Sequence, residues 1–586
     1  MDSEHTWGDA MSAAHKLTPS HRTVMRLLIR LPLAPADTLR ALSGAAGPSA
    51  VYRQLNELQA RGLVARFNAM QEEGRPGALY YLTDLGVAAI CIVSGVEPRP
   101  VAQRYRIRYW DLLQQMPTLP QLLAEYRLLA RVADAGYGRP NLCAWQRPWR
   151  PPNWRVRGRQ VPPLVDLEWE EGRIRAILLA DAGFYPLSLY RRLLRYLADR
   201  ARQDVPSPPL LIASPNELRT SGWRAVLRHV LQDVGAAPDV TLSGPGALDV
   251  DDALAALAAR AALADAQRPS PSRFPQFRPR DAERPLPCFA GWADAMQHRL
   301  TLRTELGLKA MQLTRADREL LDLLAQHPFL SANDIASFLS RPVRCIHRVL
   351  RRFVAVGLAL VVERRHGRRR SYELCTTGLE LAAMQAGLTL KAASTQLGFA
   401  GGGPQQDIGP RRDLWLKFTH TRKADEAVAL LASDAGVDVV AWRSAQAALQ
   451  GKRFRPDGYL VLGVGRQGAG FFFEFDTGKA SMADYRQKLG TIFDFFGRSH
   501  WRHRYQSPPG FLFVTEQQPA ESRFWRATAE MVSAYGFPLP IFTTTMAQLK
   551  ASGVRSRIWR HSPVASEHRI ALLTPAGSRA TRRPAA

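Results

Sequence analysis

The chain has 586 residues, 46% of them hydrophobic, and its 79 Lys and Arg against 52 Asp and Glu give a formal net charge of +27. This length exceeds one core and fits four ordinary domains plus linkers. The basic excess predicts a polyanionic partner, with nucleic acid the first candidate and an anionic membrane surface the second. No run of about eighteen apolar residues is present, and Met1-Asp2-Ser3-Glu4-His5 lacks the basic and apolar regions of a signal peptide, so a cytoplasmic protein outside the membrane is expected. Cys91, Cys143, Cys288, Cys345 and Cys375 include no C-x-x-C pair, which argues against a disulfide framework or a structural zinc site.

In chain order, the first predicted helix starts at Thr18, a cap, and Pro19, and carries Val24, Leu27, Leu28 and Leu31 at helical spacing. A short helix over 37–42 and a turn over 43–48 follow. Ser49 is then expected to cap a third helix that buries Val51, Leu55 and Leu58 and ends at Arg61-Gly62. Two extended runs, 63–67 and 79–82, flank the polar loop 71–77. Three helices and a hairpin are the order of a winged helix-turn-helix domain, and Tyr80-Tyr81-Leu82-Thr83-Asp84-Leu85-Gly86 resembles the close of many bacterial winged-helix regulators. Further on, residues 145–159 mix Trp145, Trp149 and Trp154 with five arginines, a composition suited equally to gripping nucleic acid and to packing over a neighbouring domain. An Ala-rich helix over 249–266 and a Pro/Arg-rich segment over 268–287, read as an extended tether, come next.

The pattern then starts again at an offset of about 295 residues, which reads as a tandem duplication. Leu17-Thr18 is echoed by Leu313-Thr314, Arg61-Gly62-Leu63 by Val356-Gly357-Leu358, Ala144-Trp145 by Ala441-Trp442, Asp181-Ala182-Gly183 by Asp476-Thr477-Gly478, and Trp223-Arg224-Ala225 by Trp525-Arg526-Ala527. Helices are expected over 314–326, 331–339 and 342–356, followed by a hairpin whose tip carries Arg364, Arg365, Arg368, Arg369 and Arg370. Five arginines so close together repel one another unless an anion lies between them. In a helix-turn-helix the third helix enters the major groove and the wing touches the backbone. The outward residues are Ser49, Tyr52, Arg53 and Asn56 in the first copy, and Arg344, His347, Arg348, Arg351 and Arg352 in the second. Asn and Arg can read base edges bidentately. The competing reading is a protein-binding module with a solvated basic face.

After Gly401-Gly402-Gly403-Pro404, a hinge, strands and helices alternate: a helix over 420–432, strands over 437–442 and 459–462, a turn over 465–470, Phe471-Phe472-Phe473-Glu474-Phe475-Asp476, a helix over 481–496, a strand over 511–514, a helix over 520–535 and an apolar run over 539–542. This order argues for an α/β layer with a mixed central sheet. Asp457 on one strand and Glu474 with Asp476 on the next could hold a divalent ion, magnesium or manganese, that activates water against a phosphodiester. The alternative is a pair of acids that cap a helix or pair with arginine. The arrangement resembles the P-D…(D/E)-x-K signature of restriction-endonuclease-like folds. Asp476 stands where that signature has Lys, and Lys479 or Lys488 could supply the ammonium. In the first copy Leu179 aligns with Glu474, Leu193 with Lys488 and Pro163-Leu164 with Pro456-Asp457, so that half keeps a scaffold without the acid pair.

His420 on a helix, Ala441-Trp442, Pro456-Asp457-Gly458, Phe472-Phe473-Glu474-Phe475-Asp476-Thr477-Gly478 and Lys488-Leu489 together resemble the replication-relaxation family of bacterial plasmids and integrative elements, over about 313–545. The resemblance implies a role on DNA in replication, mobilisation or maintenance of a mobile element.

The expected architecture is α/β multidomain: two winged helix-turn-helix domains, each followed by a restriction-endonuclease-like α/β domain with a mixed central sheet. The boundaries are an N-terminal extension over 1–16, winged helix 1 over 17–96, a degenerate nuclease-like domain over 97–245, a helical and Pro/Arg-rich linker over 246–312, winged helix 2 over 313–400, a nuclease-like domain over 401–556 and a basic tail over 557–586. The expected function is double-stranded DNA binding. Metal-dependent cutting by the C-terminal domain, or scaffolding of a relaxase or replication initiator, are the alternatives.

Overall fold

The computed structural model describes residues 5–44, 47–70, 76–134, 141–146, 164–169, 172–183, 187–203, 207–244, 249, 252–256, 274–287, 289, 302–362, 370–399, 417–434, 437–444, 454–464, 467–499, 501, 508–562 and 569–572. Two compact units result, Met1–Ala316 with Gln385–Gly387, and Asp317–Met384 with Leu388–Ala586. Among the described residues no helix is long and apolar enough to cross a membrane.

The first unit opens with α1 (Trp7–His15), where an extension was expected, and continues with α2 (Pro19–Arg30), β1 (Ala34–Pro35), α3 (Ala36–Ser43), α4 (Pro48–Ala60), β2 (Val64–Met70), β3 (Pro76–Leu82) and α5 (Asp84–Val93). Thr18 caps α2 through a 3.2 Å bond from the His21 amide to its hydroxyl. The cap of α4 is Gly47, with Pro48 in the first turn; Ser49 lies inside the helix because proline's fixed φ suits that turn better. Helices α2 and α4 bury Val24, Leu28, Val51, Leu55 and Leu58 against each other and a three-stranded sheet ordered β1-β3-β2.

Four elements that sequence periodicity did not separate follow: α6 (Pro98–Tyr105), α7 (Tyr109–Gln115), α8 (Leu119–Ala133) and β4 (Asn141–Gln146). Then come β5 (Leu164–Trp169), β6 (Gly172–Ala180), α9 (Arg191–Arg202), β7 (Leu210–Ala213), α10 (Glu217–Val234), β8 (Val240–Ser243) and α11 (Leu302–Met311). Strands β4, β5 and β6 run antiparallel, and β6, β7 and β8 parallel.

The segment expected as a tether is a strap where it is described. The Trp7 amide bonds the Arg284 carbonyl at 3.0 Å and the Glu97 amide bonds the Pro275 carbonyl at 2.9 Å. Arg280 also pairs with Glu97 at 3.0 Å, and Phe277 meets the Trp7 ring at 5.7 Å. Of the Ala-rich helix, residues 252–256 are described and helical. Residues 147–163, which hold most of the tryptophan-arginine stretch, lie outside the described residues, as do the hinge at 401–404 and residues 573–586.

The second unit runs in a similar order, with one described helix fewer between its hairpin and its large sheet: α12 (Arg315–Gln326), β9 (Leu330–Ser331), α13 (Ala332–Phe338), α14 (Val343–Ala355), β10 (Ala359–Val362), β11 (Ser371–Leu374), α15 (Thr376–Gln385), α16 (Leu390–Leu397), α17 (Phe418–Ala432), β12 (Asp438–Ser444), β13 (Gly458–Val464), β14 (Gln467–Asp476), α18 (Met482–Gly497), β15 (Gly510–Thr515), α19 (Gln518–Tyr535) and β16 (Ile541–Thr545). The strand β14 begins inside the span expected as a turn. Three further elements, α20 (Met546–Ser552), β17 (Trp559–His561) and β18 (Arg569–Ile570), extend a seven-stranded mixed sheet. Part of the expected basic tail is therefore structure: Trp559 is fully buried, and Arg569 forms a bidentate pair with the buried Glu521 at 2.7 and 3.1 Å.

Local geometry recurs between the units in detail. Leu33 and Phe329 both take positive φ (64° and 75°) just before β1 and β9, and Gly183 and Gly478 take φ 87° and 85° in the two D-x-G turns. The first edge pair of each large sheet shifts register at one place, between Leu142 and Ala144 and between Val439 and Ala441. Helix α19 ends at Gly536 as α10 ends at Gly235, which sets Trp223 against Phe524, not Trp525; both are fully buried, and each meets a tyrosine ring, Tyr190 at 5.1 Å and Tyr485 at 5.5 Å.

The glycine closing each Y-x-L-T-x-x-G-like run has a steric cause. A Cβ on Gly86 would lie 1.9 Å from the Leu63 carbonyl oxygen, and one on Gly378 would lie 2.2 Å from that of Leu358. Gly378→Ala should force the helix off the hairpin and destabilise the second unit by about 1–3 kcal/mol in denaturant unfolding.

Candidate functional site

Helix α14 buries Ile346, Leu350 and Phe353, so its opposite face carries the residues between them in helical register. Arg344, His347, Arg348 and Arg351 are all exposed there. Arg352 is directed elsewhere: it pairs with Asp317 on α12, whose side chain is 1% exposed, and so fastens the two helices together. On α4, Ser49, Tyr52, Arg53 and Asn56 are exposed opposite Val51, Leu55 and Leu58. Arg370 is exposed at the foot of the second hairpin, whereas Arg364, Arg365, Arg368 and Arg369 lie outside the described residues.

The carboxylates meet on the large sheet of the second unit. Strand β14 alternates: Phe471, Phe473 and Phe475 enter the core that includes α17 and α20, while Phe472 enters the core beneath α18 and α19. Glu474 shares the Phe472 face. The antiparallel register pairs Gly458 with Phe473, which places Asp457 directly across from Glu474, close enough for the charge of each carboxyl to act on the other. On α18, Lys488 lies one turn beyond the buried Tyr485, and its ammonium pairs with Glu474 Oε1. Glu474 Oε2 is buried without a hydrogen-bond partner. Burial, reinforced by the charge of Asp457 and opposed by Lys488, pushes the Glu474 carboxyl up to about 8. Burial likewise raises Asp457. Burial opposes the charge on Lys488, but Glu474, Asp457 and Asp476 together hold that ammonium above its usual range.

The remaining acid and lysine fall differently. Asp476 accepts a 2.5 Å bond from the Tyr485 hydroxyl, and Lys479 is exposed on the loop after β14. A residue singled out in the sequence only as part of the family resemblance joins the site instead. His420 Nε2 lies 2.9 Å from the Phe475 carbonyl and 3.4 Å from Asp457 Oδ2. Because a carbonyl only accepts, Nε2 carries the hydrogen. The Phe475 amide in turn donates to Asp457 Oδ2 at 2.9 Å. Neither contact has a local sequence signal, since His420 meets β14 from 55 residues away.

Two facing carboxyls, one with an unpartnered buried oxygen, form the hard oxygen donor set that magnesium or manganese takes. Among the described residues no group of three or more His, Cys, Asp or Glu is placed to hold a metal. An ion here would complete its shell with water or phosphate oxygen.

The matching register in the first unit carries different chemistry. Register sets Ala180 against Ala213 as it sets Phe475 against Val514, which puts Leu179 where Glu474 stands and Asp181 where Asp476 stands. Leu164 pairs with Ile177 as Tyr459 pairs with Phe472, so Leu164 corresponds to Tyr459, and the counterpart of Asp457 falls among residues outside the description. Leu179 and Leu193 are both buried in one apolar cluster. Asp181 is saturated by Arg219 at 2.7 Å through both oxygens and by Trp223 Nε1 at 2.8 Å. Gln121 on α8 bonds the Ala180 carbonyl as His420 bonds that of Phe475.

A family model described as replication-relaxation matches residues 321–508. That span holds helix α14 and the Asp457, Glu474 and Lys488 group. Similar solved structures include a mutant of S. aureus MepR bound to an oligodeoxyribonucleotide, at 19% identity and a TM-score of 0.13, covering 20% of this chain and 85% of that one. Another is the restriction endonuclease FokI bound to DNA, at 12% identity and a TM-score of 0.17, covering 41% of this chain and 44% of that one. No curated protein sequence gives a significant match.

The leucine pair of the first unit suggests a direct experiment on the second. Lys488→Leu alone strands a buried carboxyl and should destabilise by about 1–3 kcal/mol, less than for a fully buried partner because Lys488 is partly exposed. Glu474→Leu combined with Lys488→Leu should melt at or above the wild-type temperature, since an apolar pair of similar volume can replace a buried ion pair at no loss.

Proposed function

We propose that this protein binds duplex DNA through the outer faces of α4 and α14, in the replication, mobilisation or maintenance of a bacterial mobile element. The observation that carries this reading is the single face of α14 bearing Arg344, His347, Arg348 and Arg351 on a chain of net charge +27. In this reading the chain is a tandem repeat in which a winged reader (17–96 and 313–400) precedes an α/β domain (97–245, and from 401 through β18). The recurring positive-φ residues, register shifts and glycine contacts support the duplication. Guanidinium groups on such a face meet phosphate or the guanine edge.

The Asp457, Glu474 and Lys488 group supports a second reading for the C-terminal domain, phosphodiester cleavage. A divalent ion bound by the two carboxylates would supply Lewis acidity and an activated water. Lys488, paired with Glu474, would offer an ammonium to charge that builds on a phosphoryl group bound beside the two acids. His420 fixes the Phe475 carbonyl and with it the strand end that presents both acids. Asp181, Leu179 and Leu193 leave the first α/β domain without this chemistry and with a structural or DNA-holding role.

Arg344→Ala with Arg348→Ala should weaken retention of duplex DNA in gel retardation by about tenfold or more, at about 1–3 kcal/mol for each base-directed arginine. Unchanged retention would remove α14 from the interface. For the second reading, wild type should nick supercoiled plasmid in magnesium or manganese, and the Glu474→Leu/Lys488→Leu variant should bind the plasmid equally and leave it intact. Equal nicking by both proteins would exclude the site.

A further inference from the structure

His327, in the turn between α12 and β9, is 3% exposed and belongs to neither reading above. Its ring stacks on Trp442 of β12 at 5.0 Å and 14°, its Nε2 lies 3.1 Å from the Trp442 carbonyl, and its Nδ1 lies 3.6 Å from Asp425 on α17. Trp442 Nε1 donates to the same Asp425 oxygen at 3.4 Å. The far edge of the indole covers Gly458: a Cβ there would lie 2.1 Å from two ring carbons. Gly458 is the residue after Asp457. Asp425 shares α17 with His420, which bonds the end of β14.

Two covalently separate routes thus lead from the turn behind α12 to the acid pair, one through the indole to Gly458 and one along α17 to Phe475. The first unit joins the corresponding turn and helix without a histidine or a carboxylate. Tyr126, at the position on α8 that Asp425 holds on α17, donates to the Pro32 carbonyl at 2.8 Å in the turn between α2 and β1. Among the described residues the carboxylate site and the histidine-carboxylate junction therefore occur in the same unit.

We propose that His327, Trp442 and Asp425 are positioning residues that couple the DNA-reading helices of the second unit to the strand pair carrying Asp457 and Glu474, so that DNA held by α14 steadies those strands. This rests on the DNA-binding reading and not on cleavage. Histidine has the flat face that stacks on the indole together with a donor for its carbonyl, and glycine at 458 leaves the ring its place.

Amide hydrogen exchange of the full chain over residues 456–476, with and without sheared mixed-sequence duplex DNA, tests the coupling. DNA should slow exchange there by about tenfold in wild type. His327→Asn should retain DNA on a filter as wild type does yet lose the slowing. Gly458→Ala, which displaces the indole without touching the helices that read DNA, should lose it too and carries the test if His327→Asn fails to fold. Trp442→Phe keeps a ring between His327 and Gly458 and should preserve the slowing, a rescue that general destabilisation would not produce. Equal slowing in wild type, His327→Asn and Gly458→Ala would overturn the proposal, as would DNA retention by wild type with no slowing. Failure of wild type to retain DNA would instead overturn the DNA-binding reading.

Discussion

Strand β14 is apolar on both sides, and every charged side chain it carries must be matched inside the protein. Phe471, Phe473 and Phe475 fill one layer and Phe472 the other, leaving Glu474 in the second layer at 4% exposure. A carboxylate there needs a cation within reach, a shared proton or both. Lys488 supplies the first from α18, and the cross-strand position of Asp457 creates the condition for the second. The sheet order, the placement of α18 and the glycine at 458 all bear on how these three groups meet.

The large sheet of the first unit has a matching register without that demand. Leu179 and Leu193 take the places of the acid and the lysine and join the core, and the acid that remains, Asp181, is enclosed by Arg219 and Trp223. Nothing in the fold itself requires the ion pair. Its presence in the second unit is therefore a property of the site, and so is Glu474 Oε2, which is buried without a hydrogen-bond partner among the described residues. The polar junction at His327 follows the same division between the units.

Much of this was legible in the sequence because it was written locally. The three-helix-and-hairpin order followed from spacing, caps and glycines, and the alternation Phe471 to Asp476 predicted which side chains share a face. Contacts spanning long loops were not legible. His420 and His327 reach their partners across 55 and 115 residues; a family motif marks the first without naming its partner, and nothing local marks the second. Strands β17 and β18 are short and basic; the second is anchored by the Arg569 and Glu521 pair, which sequence pattern cannot announce. The strap over 274–287 reads as a linker by composition because its order comes from backbone bonds to Trp7 and Glu97. A shared letter pairs Trp223 with Trp525, whereas burial pairs it with Phe524, and a shared proline sets Leu164 beside Asp457, whereas register sets it beside Tyr459.

The account as a whole depends on phosphate neutralisation by the arginine faces. The most direct measurement is the equilibrium affinity of the whole chain for one duplex across a series of salt concentrations. Counterion release predicts that log K falls linearly with log salt, with a slope of roughly −0.9 for each phosphate contacted and so of several units here. An affinity that stays level from low to moderate salt would contradict it.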